Sequence, residues 1–181
     1  MGVVQTLTAI ALGLLAPSGA QAPANDASAL RAVTASCRGT TTAAGNAYSR
    51  QQAMSCGVNV VRRSFGVSVL HESPRLDRSS LLKANGVRRC GFSHTPCGTP
   101  FTQTFVRAGY LPARSVGENL AWGQGERGSP LRTLAAWLAS PEHRANLLAP
   151  GWQDLGLAFQ RGSMFGFSGV SLWVLQFGRR S

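Results

Sequence analysis

The chain has 181 residues, a hydrophobic fraction of 44% and a charged fraction of only 14%. Those values exclude an intrinsically disordered polymer and fit one globular domain with a real core. The formal net charge is +11, with Lys83 the single lysine and the arginines scattered rather than interleaved with aromatics. No nucleic-acid surface is therefore expected, while the net field attracts anionic cell-wall polymers or lipid as readily as it keeps the protein soluble.

Residues 1–22 read as a secretory signal. Val3 to Leu15 is mostly apolar, Pro17-Ser18-Gly19 breaks the run, and Ala20-Gln21-Ala22 forms an A-x-A cleavage site, although no Lys or Arg precedes the run. The run is shorter than the roughly 20 residues that cross a bilayer, so export is expected rather than a stable membrane span. Residues 23–45 are rich in Ala, Thr, Ser and Gly and read as a linker or loosely packed arm tied down at Cys37. The folded domain is expected over residues 46–179.

The four cysteines suit an oxidising compartment and allow three pairings. The sequence-local pairing, Cys37 with Cys56 and Cys90 with Cys97, is preferred. Neither pair has the C-x-x-C spacing of a structural zinc site.

Met54, Val58, Val61 and Phe65 form one helical stripe, with Arg50, Gln51, Arg62 and Arg63 on the polar side and Gly66 as the stop. Ser73-Pro74 opens a second helix with a serine cap and proline at its first position. Its stripe is Leu76, Ser80, Ala84 and Val87, bordered by Leu81, and it ends near Arg89. Phe92 to Gly98 is a loop, and bridging Cys90 to Cys97 would restrain His94 within it. Thr99-Pro100 starts a short helix carrying Phe101 and Phe105. Gly117 to Gly123 is a strand-like run with one carboxylate, Glu118, which needs a partner if buried.

Gly123 to Gly128 spells G-x-G-x-x-G, but a helix start follows where a dinucleotide unit requires a strand, so a flexible glycine loop is expected. Ser129-Pro130 opens a helix with Leu131, Leu134, Ala135 and Leu138 inward and Trp137 beside them. Ser140-Pro141 opens another, to about Leu148, with Glu142 and His143 in its first turn. The partial positive charge of that helix start favours the carboxylate and disfavours a protonated imidazole. Leu155–Phe159 and Val170–Phe177 are strands joined by a turn at Arg161–Ser163, the second apolar on both faces and so covered on both. Helices first and strands last give an α+β class.

Phe92-Ser93-His94, Ala108-Gly109-Tyr110, Gly117-Glu118-Asn119-Leu120-Ala121, Trp137 with Ser140-Pro141-Glu142-His143-Arg144-Ala145-Asn146-Leu147-Leu148, Gly156 and Gln176-Phe177-Gly178 occur in this order. The combination resembles the CAP superfamily of cysteine-rich secretory, antigen 5 and pathogenesis-related 1 proteins, in its bacterial SCP-like extracellular branch. The resemblance spans about residues 53–178. It implies a three-layer α-β-α sandwich with a small antiparallel sheet and a cleft. Carried over by motif, the cleft residues are His94, Glu118 and His143. A further glutamate of plant and animal members corresponds to Ser140 here, and Glu142 stands nearby. Asn119 is expected to bond backbone.

Two histidines and a carboxylate suit a divalent metal such as zinc, or equally a dry polar network that requires no cofactor. The expected function is a secreted, monomeric, non-enzymatic binding module for a small or lipid-like ligand or a cell-surface partner such as an anionic polymer. The alternative is a metal-dependent hydrolase built on the same three residues. His71-Glu72 begins like a zincin helix, but Pro74 and Arg75 break that pattern. No G-x-S-x-G is present, and Ser93 beside His94 makes no dyad.

Overall fold

The computed structural model describes residues 24–180. The signal-like segment 1–22 lies outside the described residues. Among the described residues, no helix is long and apolar enough to cross a membrane.

Residues 23–45 depart from the linker expectation. Ala24–Ser36 is a helix, α1, so ordered structure begins well before residue 46. Asp26, Ala29, Val33 and Cys37 are buried. They recur every three or four positions, which is one helical face. Small side chains allow a close approach to the next helix, α2 (Ala47–Ser64). A Cβ on Gly57 of α2 would lie 3.4 Å from Val33 and 2.6 Å from Leu134. The Cys37–Cys56 bridge joins the end of α1 to α2.

Two arginines expected on the polar side of α2 are buried instead. Arg50 donates to Gly39 O at 2.5 Å and Thr42 O at 2.6 Å, holding the preceding loop. Arg62 is fully buried and donates to Ser68 O, Leu147 O and Ala149 O at 2.7, 2.7 and 3.2 Å. A guanidinium offers five donors in a fixed fork, so one side chain can cap several stranded carbonyls. Burial lowers its pKa from the ordinary arginine value.

His71–Glu72 is a two-residue strand, β1, and both residues are exposed. The Ser73 hydroxyl caps α3 (Pro74–Cys90), which buries Leu76, Ser80, Ala84 and Val87 as its stripe predicts and leaves Leu81 exposed. The Cys90–Cys97 bridge closes the loop after α3. Helix α4 spans Gln103–Arg107, so Phe101 sits in the turn before it rather than within it. Strand β2 (Ser115–Gln124) leads into a short 3-10 turn, Gly125–Gly128. That glycine segment is tied down rather than loose: Gly128 is buried and its carbonyl accepts the Trp173 indole at 2.9 Å. Helices α5 (Pro130–Ala139) and α6 (Pro141–Leu148) follow, with Trp137 at the centre of the α5 face rather than beside it.

Strands β3 (Asp154–Met164) and β4 (Phe167–Arg179) form a hairpin. Arg161–Ser163, expected as a turn, continues β3, and the chain reverses at Phe165-Gly166. The sheet order is β1-β3-β4-β2. It is mixed rather than wholly antiparallel, because β1 runs parallel to β3. Leu155, Leu157, Phe159, Trp173, Leu175 and Phe177 face the α1, α2, α5 and α6 layer. Leu120, Ala158, Leu172 and Val174 face α3. The α3 backbone crosses β3 so closely that a Cβ on Gly156 would sit 2.2 Å from the Leu76 carbonyl carbon. The α+β class expected from element order, and the sandwich that the resemblance implies, are therefore present.

Replacing Arg62 with methionine should strand three carbonyls while keeping most of the volume. Each unsatisfied group costs about 1–3 kcal/mol, so urea unfolding should show a loss of at least about 2 kcal/mol.

Candidate functional site

β2 is an edge strand between the two helical layers. Its alternation sends Glu118 toward α3 and places it opposite Gln176 of β4. The Glu118 carboxylate is fully buried, and three groups meet it. His94 Nδ1 lies 2.8 Å from Oε1, Gln176 Nε2 donates to Oε2 at 2.7 Å, and Lys83 Nζ stands 3.6 Å from Oε1. Lys83 also donates to the His94 carbonyl and lies over the Phe101 ring, 5.2 Å from its centre. One ammonium thus neutralises Glu118 and fixes the backbone that carries His94.

Lys83 lies outside the motifs, and Gln176 stands in the closing one without being carried over as a cleft residue, yet both left a signal. Lys83 is the only lysine, three residues after Ser80 and four before Val87 on the buried stripe. Gln176 is an amide inside an apolar strand.

His143 arrives from the opposite layer, in the first turn of α6. It does not reach Glu118. Its Nδ1 lies 2.8 Å from Ser140 Oγ, so Ser140 orients the imidazole. Asn119 donates to the His143 carbonyl at 2.9 Å and accepts from Asn146 at 3.1 Å. Asn119 therefore bonds backbone, as expected, and ties α6 to β2. Glu142 is exposed and joins no hydrogen bond or ion pair among the described residues. Arg144 pairs with Asp26 of α1 at 2.6 Å.

Burial, together with the nearby His94, lowers the pKa of His143, while Glu142 acts the other way. The imidazole is therefore held neutral. With both Nδ1 atoms engaged, each ring has its Nε2 left to meet a partner; neither Nε2 has a hydrogen-bond partner among the described residues.

The arrangement does not fit a three-ligand metal. Both Glu118 oxygens are committed, and a fixed ammonium beside them opposes a second cation. No group of three His, Cys, Asp or Glu side chains among the described residues is placed to hold an ion.

Two measurements test this geometry. Lys83→Met leaves a buried carboxylate without its cation and should cost about 3–5 kcal/mol in urea unfolding. Adding Glu118→Gln should recover roughly 1–3 kcal/mol of that loss, the signature of a coupled pair. For His143 the folded pKa lies below the unfolded one, so protonation favours the unfolded chain. Stability should be flat above the ordinary histidine value and fall as pH drops through about 6.5, until the folded pKa is reached. His143→Gln should remove that part of the slope.

Comparison with known proteins bears on the fold and the family. The model of the cysteine-rich secretory protein family, CAP, matches residues 57–177. The uncharacterised protein YkwD of Bacillus subtilis (strain 168) is 27% identical over 122 residues, covering 66% of this chain and 43% of YkwD. The chain thus spans less than half of that relative. An extracellular protein with an SCP domain from Bacillus anthracis str. Ames superposes with a TM-score of 0.60 at 19% identity, over 74% of this chain and 41% of that one. An outer surface protein of Borrelia burgdorferi gives a TM-score of 0.61 at 21% identity, over 76% of this chain and 100% of that one. At such identities these two structures share the fold. The family match spans most of the chain and takes in His94, Glu118 and His143 together, so the chain belongs to the CAP, or cysteine-rich secretory protein, family.

Proposed function

We propose that this protein is an extracellular, non-enzymatic binding module. The observation that carries the reading is the saturation of Glu118: its oxygens are held by His94, Gln176 and Lys83, so the buried carboxylate is not free to act as a base. The network then serves to hold the His94 ring beside the β2 edge, where Ser140 and Asn119 hold His143. There the two rings can hydrogen-bond a small or lipid-like ligand or a cell-surface partner. Two disulfides suit an oxidising compartment, and relatives of the same fold are described as extracellular or outer-surface proteins.

The metal-dependent hydrolase is the second reading. It is favoured by one observation, the two imidazoles with uncommitted Nε2 atoms.

One pair of experiments separates them. A fluorescent fatty acid should bind saturably, and His94→Ala/His143→Ala should weaken it at least about tenfold, the loss of two hydrogen bonds. No saturable binding, or equal binding by both proteins, counts against the cleft. In a calorimetric zinc titration, wild type should take up zinc no better than His94→Ala/His143→Ala. Tight one-to-one uptake by wild type alone would favour the hydrolase.

A further inference from the structure

The β3–β4 hairpin runs past the rest of the sheet. β2 ends at Gln124, opposite Val170, while β4 starts at Phe167. The tip therefore projects by roughly 10 Å at the ordinary strand rise. It is apolar where a turn is usually polar. Phe167 is 49% exposed and stacks on Trp122 with ring centres 5.6 Å apart. Trp122 also meets Phe165 at 5.5 Å, and Phe165 meets Phe92 at 6.1 Å. These four rings form one continuous, half-exposed platform, backed by buried Met164 and Val170.

Phe165 occupies this place against its backbone preference. Its φ is 57°, the left-handed region that tight turns ordinarily give to Gly or Asn. A β-carbon there costs about 1–2 kcal/mol. Such a cost at a half-buried turn position needs a compensating use.

Charge says what meets the platform. No acidic residue occurs between Asp77 and Glu118 or after Asp154, and Glu126, after the end of β2, is turned to accept from the Ala43 N–H. Arg161, opposite Ser171, is exposed on the other face of the sheet. The Arg88 guanidinium lies 3.5 Å from where a Cβ on Gly162 would stand. Aromatic rings beside a guanidinium, with no carboxylate among them, match a bilayer interface: rings at headgroup depth and the guanidinium against phosphate.

The geometry points to the β3–β4 hairpin, with Trp122 and Phe92, as a docking surface for an anionic phospholipid membrane. The inference deepens the binding-module reading by naming a partner, but it uses a surface other than the two imidazole rings. A sugar polymer fits less well, because Phe167 already covers one face of Trp122.

The test is co-sedimentation with vesicles of phosphatidylglycerol and phosphatidylcholine, against vesicles of phosphatidylcholine alone. Wild type should partition onto the anionic vesicles. Phe165→Ser/Phe167→Ser should partition at least about tenfold less, since each ring removes a large apolar area from water. Arg88→Gln should weaken the preference for anionic lipid by about fivefold, at roughly 1 kcal/mol per arginine. Phe167→Ser alone changes an exposed ring, so it should keep the wild-type melting temperature and still bind more weakly. His94→Ala/His143→Ala should bind vesicles as wild type does, so failure of the cleft reading and failure of this one are distinguishable. The proposal is overturned if wild type binds neither vesicle, or if the phenylalanine variants bind as wild type. It is equally overturned if soluble polyphosphate is retained as well as vesicles and without regard to the phenylalanines.

Discussion

A carboxylate removed from water must be compensated on the spot, and in this protein the compensation of Glu118 organises the structure around it. Its partners come from three places in the chain: α3, the bridged loop and β4. Gln176 can reach Oε2 only in the observed register of β2 and β4. A shift of β2 by one residue would turn Glu118 to the other face of the sheet, away from Gln176. Lys83 can reach Oε1 only because α3 lies against glycine at position 156. The loop carrying His94 is fixed twice, by the Cys90–Cys97 bridge and by the lysine that holds its carbonyl. Each of these features would be unremarkable alone; together they are conditions for burying one charge.

The second imidazole is held by different means. His143 belongs to the other helical layer, and its helix is secured from three directions. Arg62 takes the carbonyls at the end of α6, Asp26 takes Arg144, and Asn119 takes the His143 carbonyl. The cleft is thus a junction of two layers across an edge strand. Its geometry depends on α1 as much as on the motif residues, which gives the N-terminal helix a part in positioning the site.

Local chemistry was readable wherever the chain states it locally. The Ser-Pro pairs at positions 73, 129 and 140 each begin a helix at the following proline. The doubly apolar β4 is covered on both sides. What failed to show locally was set by tertiary contact. The small residues of α1 resemble a linker because their value lies in close packing against α2, which composition does not display. Arg50 and Arg62 look like solvated positions because a guanidinium capping distant carbonyls has the same sequence signature as one in water. The long β3–β4 hairpin hid behind Arg161-Gly162-Ser163, turn-like residues that sit in an extended ladder. At the site, motif order pointed to His94, Glu118 and His143, yet Glu118 meets only one of the histidines. The other contacts come from Lys83 and Gln176, whose roles depend on which residues the fold sets opposite them.

The free side of β2 carries one more consequence. The outward carbonyls of Glu118 and Leu120 accept the Asn146 amide at 3.2 Å and the Trp137 indole at 3.2 Å. An exposed strand margin ordinarily invites a foreign strand to add to the sheet. Here side chains from α5 and α6 already occupy the acceptors that such a strand would need. The margin beside the imidazoles is closed to backbone-templated growth, and a partner approaching it must be recognised through side chains alone. At the opposite margin, β1 contributes only two residues, too short a template for lasting strand pairing.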